Sequence, residues 1–306
     1  MAETPIGVLV MSYGTPTGPD DIEAYYTDIR RGRSPTPEQL ADLRARYEAI
    51  GGVSPLAERT AAQAAGLQRA LDGVEPGRFV VFSGSKHSTP SIEDAVGDVV
   101  DAGIVDVVAL VLAPHYSALS VGQYFDRVAG AVDESGRAVS VTYVHDWHVE
   151  PVLVDLLAER VREAMARFPD DAVVETFVTA HSLPARVAEM DDPYVRQLDE
   201  TAAAVAEAAG LSRWQVAWQS AGRTPEPWLG PDVLDAIRAA AGTGVDGVLV
   251  CPAGFVSDHL EILYDLDIQA RGVADEVGLR FERTASLNDD PRFLGMLADV
   301  VRVAAA

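Results

Sequence analysis

Two residues stand out for the chemistry their side chains could do. His181 closes the apolar run VVETFVTA, and Glu261 lies in DHLEILYD, just beyond the run DGVLVCPA. A histidine and a carboxylate, with no thiolate to share the work, suit a hard or borderline divalent ion such as Fe²⁺, or a shared proton transfer. Asp258, Glu261 and Asp265 are spaced i, i+3 and i+7, which on a helix puts three carboxylates on one face. Such a file leading to His181 would draw cations toward it. A second anomaly is basic. Arg30, Arg31, Arg33, Arg44 and Arg46 crowd into 17 positions of a chain with 24 basic and 47 acidic residues. Arginine forks hold carboxylates and phosphates in bidentate fashion, so the cluster reads as an anion clamp, with Arg30 and Arg46 its strongest members. Arg46 adjoins Tyr47 and the Gly51-Gly52 turn that leads to Ser54.

The elements that must position these residues follow from the apolar pattern. Runs at 7–13, 78–84, 106–114, 140–146, 173–180, 215–221, 246–253 and 280–286 lack polar alternation, as expected of parallel strands covered on both faces. Helical segments such as TPEQLADLRARYEAIGG and PVLVDLLAERVREAMARF separate them. The alternation predicts a doubly wound α/β fold, in which ligands bind beyond the carboxyl ends of the strands. Those ends are rich in polar and aromatic groups: Tyr13 after the first run, Lys86 and His87 after the second, His115 and Tyr116 after the third, His181 after the fifth, and Asp258, His259 and Glu261 after the seventh. The connection 14–77 is too long for an ordinary crossover, and an insertion of that size usually carries function. A seam near 140–150 divides the chain into an N-terminal domain, 1–145, and a C-terminal domain, 146–306, with the last helix expected to pack back on the first.

Composition removes whole classes. With a hydrophobic fraction of 48% the chain is not disordered, and a net charge of −23 opposes nucleic-acid binding. No stretch approaches the ~18 apolar residues of a membrane helix, and the N-terminus lacks a signal-peptide pattern, so a soluble cytoplasmic protein is expected. Cys251, the only cysteine, sits inside an apolar run as a buried thiol. There is no GxxxxGK[ST] phosphate loop and no GxSxG nucleophile elbow.

Taken in order, LVMSYGTP, YYTDIRRGRSPTPEQL, RYEAIGGVSPL, APHYS, TAHSLP, WQSAGRTPEPWLGPDV and CPAGFVSDHLEILYD resemble the ferrochelatase family over essentially the whole chain, most of all its short bacterial form acting on coproporphyrin III. The resemblance implies a chelatase fold of two Rossmann-like domains with a porphyrin cleft between them. The implied reaction inserts Fe²⁺ into coproporphyrin III, giving coproheme and two protons, in haem b biosynthesis. His181 and Glu261 match the family's iron-binding and proton-abstracting pair. Tyr13 matches the residue facing the other side of the macrocycle. Arg30, Arg46, Tyr47, Ser54 and Tyr124 match porphyrin contacts and His87 a histidine at the cleft mouth, while Asp265, from the acidic file, is expected as an outer relay. Iron is expected from the His181 side, as a substrate, and neutral His181 is expected to receive it. No permanently bound cofactor is expected, and one cysteine cannot hold the [2Fe-2S] cluster of some relatives. Gln269 stands where relatives can carry a further glutamate, which weakens an outer metal site. A monomer is expected, with transient contact to neighbouring haem-pathway enzymes. The competing expectations are iron insertion into protoporphyrin IX, a chelatase for another metal or tetrapyrrole, and a non-catalytic porphyrin or haem carrier.

Overall fold

In a computed structural model, which describes residues 5–306, each apolar run becomes a strand of a parallel sheet. The first sheet contains β1 (Ile6–Ser12), β2 (Phe79–Ser85), β3 (Asp106–Val111) and β4 (Ser140–Val144) in the order β2-β1-β3-β4. The second contains β5 (Val174–His181), β6 (Trp214–Gln219), β7 (Gly247–Cys251) and β8 (Arg280–Arg283) in the order β6-β5-β7-β8. The expected α/β architecture is therefore present twice, with one strand order in both sheets. Two strands end well before their apolar runs do: β3 stops at Val111 and β7 at Cys251, each ahead of a proline-containing turn. The buried sequences explain the pairing. Val8 to Met11 and Val248 to Cys251 have no exposure at all, so both faces of these central strands are covered.

Helices α1 (Ile22–Ile29), α2 (Pro37–Ala49) and α3 (Leu56–Val74) fill the long connection between β1 and β2, and α4 (Ile92–Asp101) and α5 (Val121–Ser135) complete the first half. The second half carries α6 (Pro151–Met165), α7 (Tyr194–Ala209), α8 (Val233–Ala240), the short α9 (Leu260–Leu263), α10 (Arg271–Glu276) and α11 (Pro291–Ala304). Helix α2 begins in a capping box: Thr36 Oγ1 accepts from Gln39 N, the Gln39 side chain accepts from Thr36 N, and Pro37 stands at the first helical position. A π-helical turn, Asp265–Ala270, joins α9 to α10, with Gln269 N donating to Tyr264 O five residues back. Helix α11 lies against α3 and α6, and its Phe293 and Leu297 join one apolar cluster that reaches Val8 and Leu71 on one side and Val178 and Leu249 on the other. Among the described residues no helix is long and apolar enough to cross a membrane.

In each sheet the first strand is internal, between the second and the third. The chain leaves β1 toward one edge and later returns to its other side, and β5 does the same. A topological switch point therefore lies at the carboxyl end of each, the place where open α/β sheets bind ligands. Tyr13 follows one and His181 ends the other.

Candidate active site

The end of β5 fixes His181 from three directions. Its Nδ1 hydrogen bonds the Ser182 carbonyl, so this nitrogen carries the hydrogen and Nε2 is turned outward. The His181 carbonyl accepts from the Tyr194 hydroxyl at 2.9 Å. Behind it Gly254 packs so closely on the strand that an alanine Cβ there would stand 2.5 Å from Ala180 Cβ and 2.8 Å from Ala180 Cα. Gly254→Ala is therefore expected to push the strand end aside and cost about 1–3 kcal/mol, read as a lower Tm. An unchanged Tm would mean the strand has room to give.

His181 Nε2 lies 3.5 Å from Glu261 Oε1, and the other oxygen, Oε2, lies 3.5 Å from His259 Nε2. His259 Nδ1 faces the Ser257 carbonyl at 2.9 Å, so it donates there just as His181 donates to Ser182. Glu261 thus sits between two imidazoles held in the same tautomeric sense. His259, which the sequence reading named at the strand end but did not join to the pair, is the third member the geometry adds. Its signal was there, as a histidine two positions before the chosen glutamate, at the start of the same helix. Among the described residues no three His, Cys, Asp or Glu side chains close on one point as a metal site. The pair His181 and Glu261 would leave most of an ion's coordination open, which suits a metal that must be handed on rather than kept.

Burial disfavours charge on both members of this pair, yet their mutual attraction outweighs it. Glu261 raises His181 to about 9, and His181 with His259 holds Glu261 well below the usual carboxylate range. At neutral pH this mutual attraction favours the imidazolium–carboxylate form of the pair.

The acidic file is shorter than the spacing implied. Asp258 lies ahead of α9, and its carboxylate accepts from Ser286 Oγ at 2.8 Å and Asn288 Nδ2 at 2.9 Å. It is a structural anchor facing away from a common stripe. The π turn alters the periodicity beyond Glu261 as well, but Asp265 stays close. Asp265 is 7% exposed, its Oδ2 accepts from Ser220 Oγ at 2.5 Å, and its Oδ1 has no hydrogen-bond partner, with Arg46 Nη1 at 3.7 Å. Burial and the neighbouring Glu261 push its carboxyl up to about 6.

On the side of the first sheet, the Tyr13 ring edge meets His87 with centroids 4.6 Å apart. His87 N donates to the Tyr13 carbonyl, and His87 Nδ1 lies 2.7 Å from Asp28. Burial, then the charge of Glu261, raises the Tyr13 phenol above its ordinary value, so Tyr13 lies within the field of the His181–Glu261 pair. Tyr47 is buried, with its hydroxyl 3.2 Å from Thr15 Oγ1, and burial pushes it up to about 12. Ser54 accepts from Leu56 N at the start of α3. Arg46 joins the halves: its guanidinium stands over the Tyr264 ring at 5.1 Å and reaches Asp42 as well as Asp265. Tyr124 is 5% exposed beneath the Lys86 ammonium, 5.0 Å from its ring centre.

The arginine cluster divides. Arg44 pairs with Glu23 and Arg46 with Asp42 and Asp265, whereas Arg30, Arg31 and Arg33 have no carboxylate within ion-pair distance among the described residues. Arg30 instead stands over Tyr26, and its Nε donates to the Arg33 carbonyl. Lys86, the chain's only lysine, also has no carboxylate partner among the described residues and donates to Gln123 Oε1 at 2.7 Å; burial beside Arg127 and Arg31 brings it down to about 8. Cys251 is buried, and burial pushes its thiol up to about 12, so it is inert.

Known proteins resemble this chain in sequence and in fold. A relative from Geobacillus thermodenitrificans named coproporphyrin III ferrochelatase is 46% identical over 307 residues, covering 98% of this chain and 96% of its own. One of the same name from Bacillus subtilis is 45% identical over 305 residues and 98% of each chain. Among solved structures, SirB from Bacillus subtilis with Fe³⁺ superposes with a TM-score of 0.62 at 11% identity, over 99% of this chain and 96% of that one. CbiX, described as the terminal enzyme for biosynthesis of siroheme in denitrifying bacteria, gives 0.57 at 15% identity over 98% and 100%. These two share the fold of paired four-stranded parallel sheets. The family model described as Ferrochelatase matches residues 5–305, nearly every residue of both halves, and with relatives at this identity the chain belongs to the ferrochelatase family.

Proposed function

We propose that this protein inserts Fe²⁺ into coproporphyrin III, yielding Fe-coproporphyrin III and two protons. The observation that carries the reading is the His181–Glu261 pair at one switch point, in whose field Tyr13 of the other switch point stands. A macrocycle between them would have a metal-binding and proton-accepting wall on one face and a phenol on the other. The family relationship, with relatives named for coproporphyrin III, supplies the substrate.

Free porphyrin holds two N–H protons in its plane. Iron enters only when the ring buckles and nitrogen lone pairs point out of plane, a distortion drawn from binding energy along the cleft walls. Fe²⁺ arriving on the His181 side displaces the His181 proton and meets the Glu261 carboxylate. As the metal passes to the ring nitrogens, the freed imidazole accepts one pyrrole proton and the Glu261 carboxylate the other, so both protons leave on this side. Asp265, with its carboxyl near 6 and its bond to Ser220, is suited to carry protons outward from Glu261. Tyr13 faces the second side of the ring, where its oxygen can ligate the product iron. Arg30, Arg46, Tyr47, Ser54, Tyr124 and His87 form the porphyrin-contacting wall in this reading.

A porphyrin with four carboxylates is repelled by a chain of net charge −23 unless the cleft supplies local cations. Arg30, Arg31, Arg33 and Lys86, which pair with no carboxylate among the described residues, answer that need. The test compares coproporphyrin III with protoporphyrin IX, which has two propionates, under anaerobic Fe²⁺. A higher kcat/KM for the four-propionate substrate is expected, narrowing in Arg30→Leu. Equal turnover of the two would remove coproporphyrin as the preferred substrate.

A further inference from the structure

The first turn of the helix bearing Glu261 is poorly secured by its own sequence. Helix α9 is only four residues long, its N-cap residue His259 is extended and makes no side-chain cap, and a π turn interrupts it immediately afterwards. A free turn of this kind would fray, yet it must hold Glu261 against His181. The restraint comes from β8. The Arg283 side chain is 15% exposed and spends every nitrogen: Nε and Nη2 meet the two Asp267 oxygens at 2.7 and 2.8 Å, Nη1 donates to the Thr284 carbonyl at 3.0 Å, and Nη2 also reaches Asp258 Oδ1 at 3.4 Å. Asp258 precedes Glu261 by three residues and Asp267 follows it by six.

The segment after β8 reinforces the same grip. Ser286 and Asn288 donate to Asp258, and Asn288 Oδ1 accepts from Asp258 N at 2.9 Å, with Asn288 held at φ +48°. One guanidinium therefore ties down both flanks of the piece of chain that carries His259, Glu261 and Asp265. It touches none of the three.

We propose that Arg283 is a positioning residue for iron insertion, setting the Glu261 carboxylate against His181 by clamping Asp258 and Asp267 on either side of the turn. The inference rests on the metal-site reading above. Bidentate guanidinium–carboxylate geometry fixes direction as well as distance, and lysine cannot reproduce the fork. Loss of such outer support costs about 10–100-fold in metal affinity or activity.

The experiment measures Arg283→Lys three ways: KM and kcat for Fe²⁺ with coproporphyrin III, the coproporphyrin Kd by fluorescence quenching, and the Kd for Co²⁺ without porphyrin. The expected result is a rise of about 10–100-fold in KM for Fe²⁺ and in Kd for Co²⁺, with the porphyrin Kd unchanged. Unchanged metal affinity would overturn the proposal. So would a parallel loss of porphyrin and metal binding, which marks a residue that merely keeps the domain folded. Should Arg283→Lys not fold, Asp267→Asn removes the charge-assisted bond while keeping the side-chain shape, and the same split between metal and porphyrin binding is required. Wild-type protein that binds Co²⁺ but never metallates the porphyrin would sink the underlying reading, while the Co²⁺ comparison would still decide the role of Arg283.

Discussion

His181→Ala is expected to bind coproporphyrin III as the wild type does and to lose iron insertion by about 10²–10⁴-fold, the range removed with a general acid–base group. The side chain is placed by the Ser182 carbonyl, the Tyr194 hydroxyl and the close approach of Gly254, so removing it leaves its frame intact. What disappears is the Nε2 facing Glu261 at 3.5 Å. His259 lies on the far oxygen of Glu261 and is held there by the Ser257 carbonyl, so it is not placed to substitute. Anaerobic stopped-flow absorbance gives the rate, and fluorescence quenching gives the porphyrin affinity. Residual insertion close to the wild-type rate would place the metal elsewhere.

Glu261→Gln carries the second large effect, and its signature is a shift in pH dependence. In the wild type Glu261 keeps His181 protonated up to about 9. Below that value each metal ion must displace a proton, so apparent metal affinity climbs with pH until about 9 and then levels off. With glutamine the carboxylate charge is gone and burial acts on His181 against only the Ser182 carbonyl and the charge of Asp265, which shifts the balance toward the neutral imidazole. The levelling point should therefore move to lower pH, even as insertion falls by about 10²-fold or more from loss of the anionic ligand. Co²⁺ binding across a pH series, with imidazole NMR shifts beside it, reads both. An unmoved profile in Glu261→Gln would show that this carboxylate does not set the charge of His181.

The central strands were legible because being buried on both faces writes unbroken apolar runs, and the switch points follow from strand order once the runs alternate with helices. His181 was legible for the same reason, as a polar residue ending such a run. What escaped depends on local geometry that periodicity does not encode. Asp258, read as the first step of an acidic file, lies outside the helix because His259 is extended there, and the π turn at Asp265–Ala270 breaks the i, i+3, i+7 rule farther along. The positioning of Glu261 by Arg283 spans 22 residues of sequence between strand and helix, with no local pattern to announce it. The arginine cluster was visible as composition. Only distances separated the paired Arg44 and Arg46 from the unpaired Arg30, Arg31 and Arg33.

The most direct measurement is an anaerobic titration of wild-type protein with Fe²⁺ and excess coproporphyrin III, following porphyrin fluorescence and the appearance of the metalloporphyrin spectrum. The account predicts many metallated porphyrins per protein molecule, at a rate proportional to protein concentration. Tight stoichiometric binding of coproporphyrin III with no metallation would contradict it and leave the cleft as a carrier's.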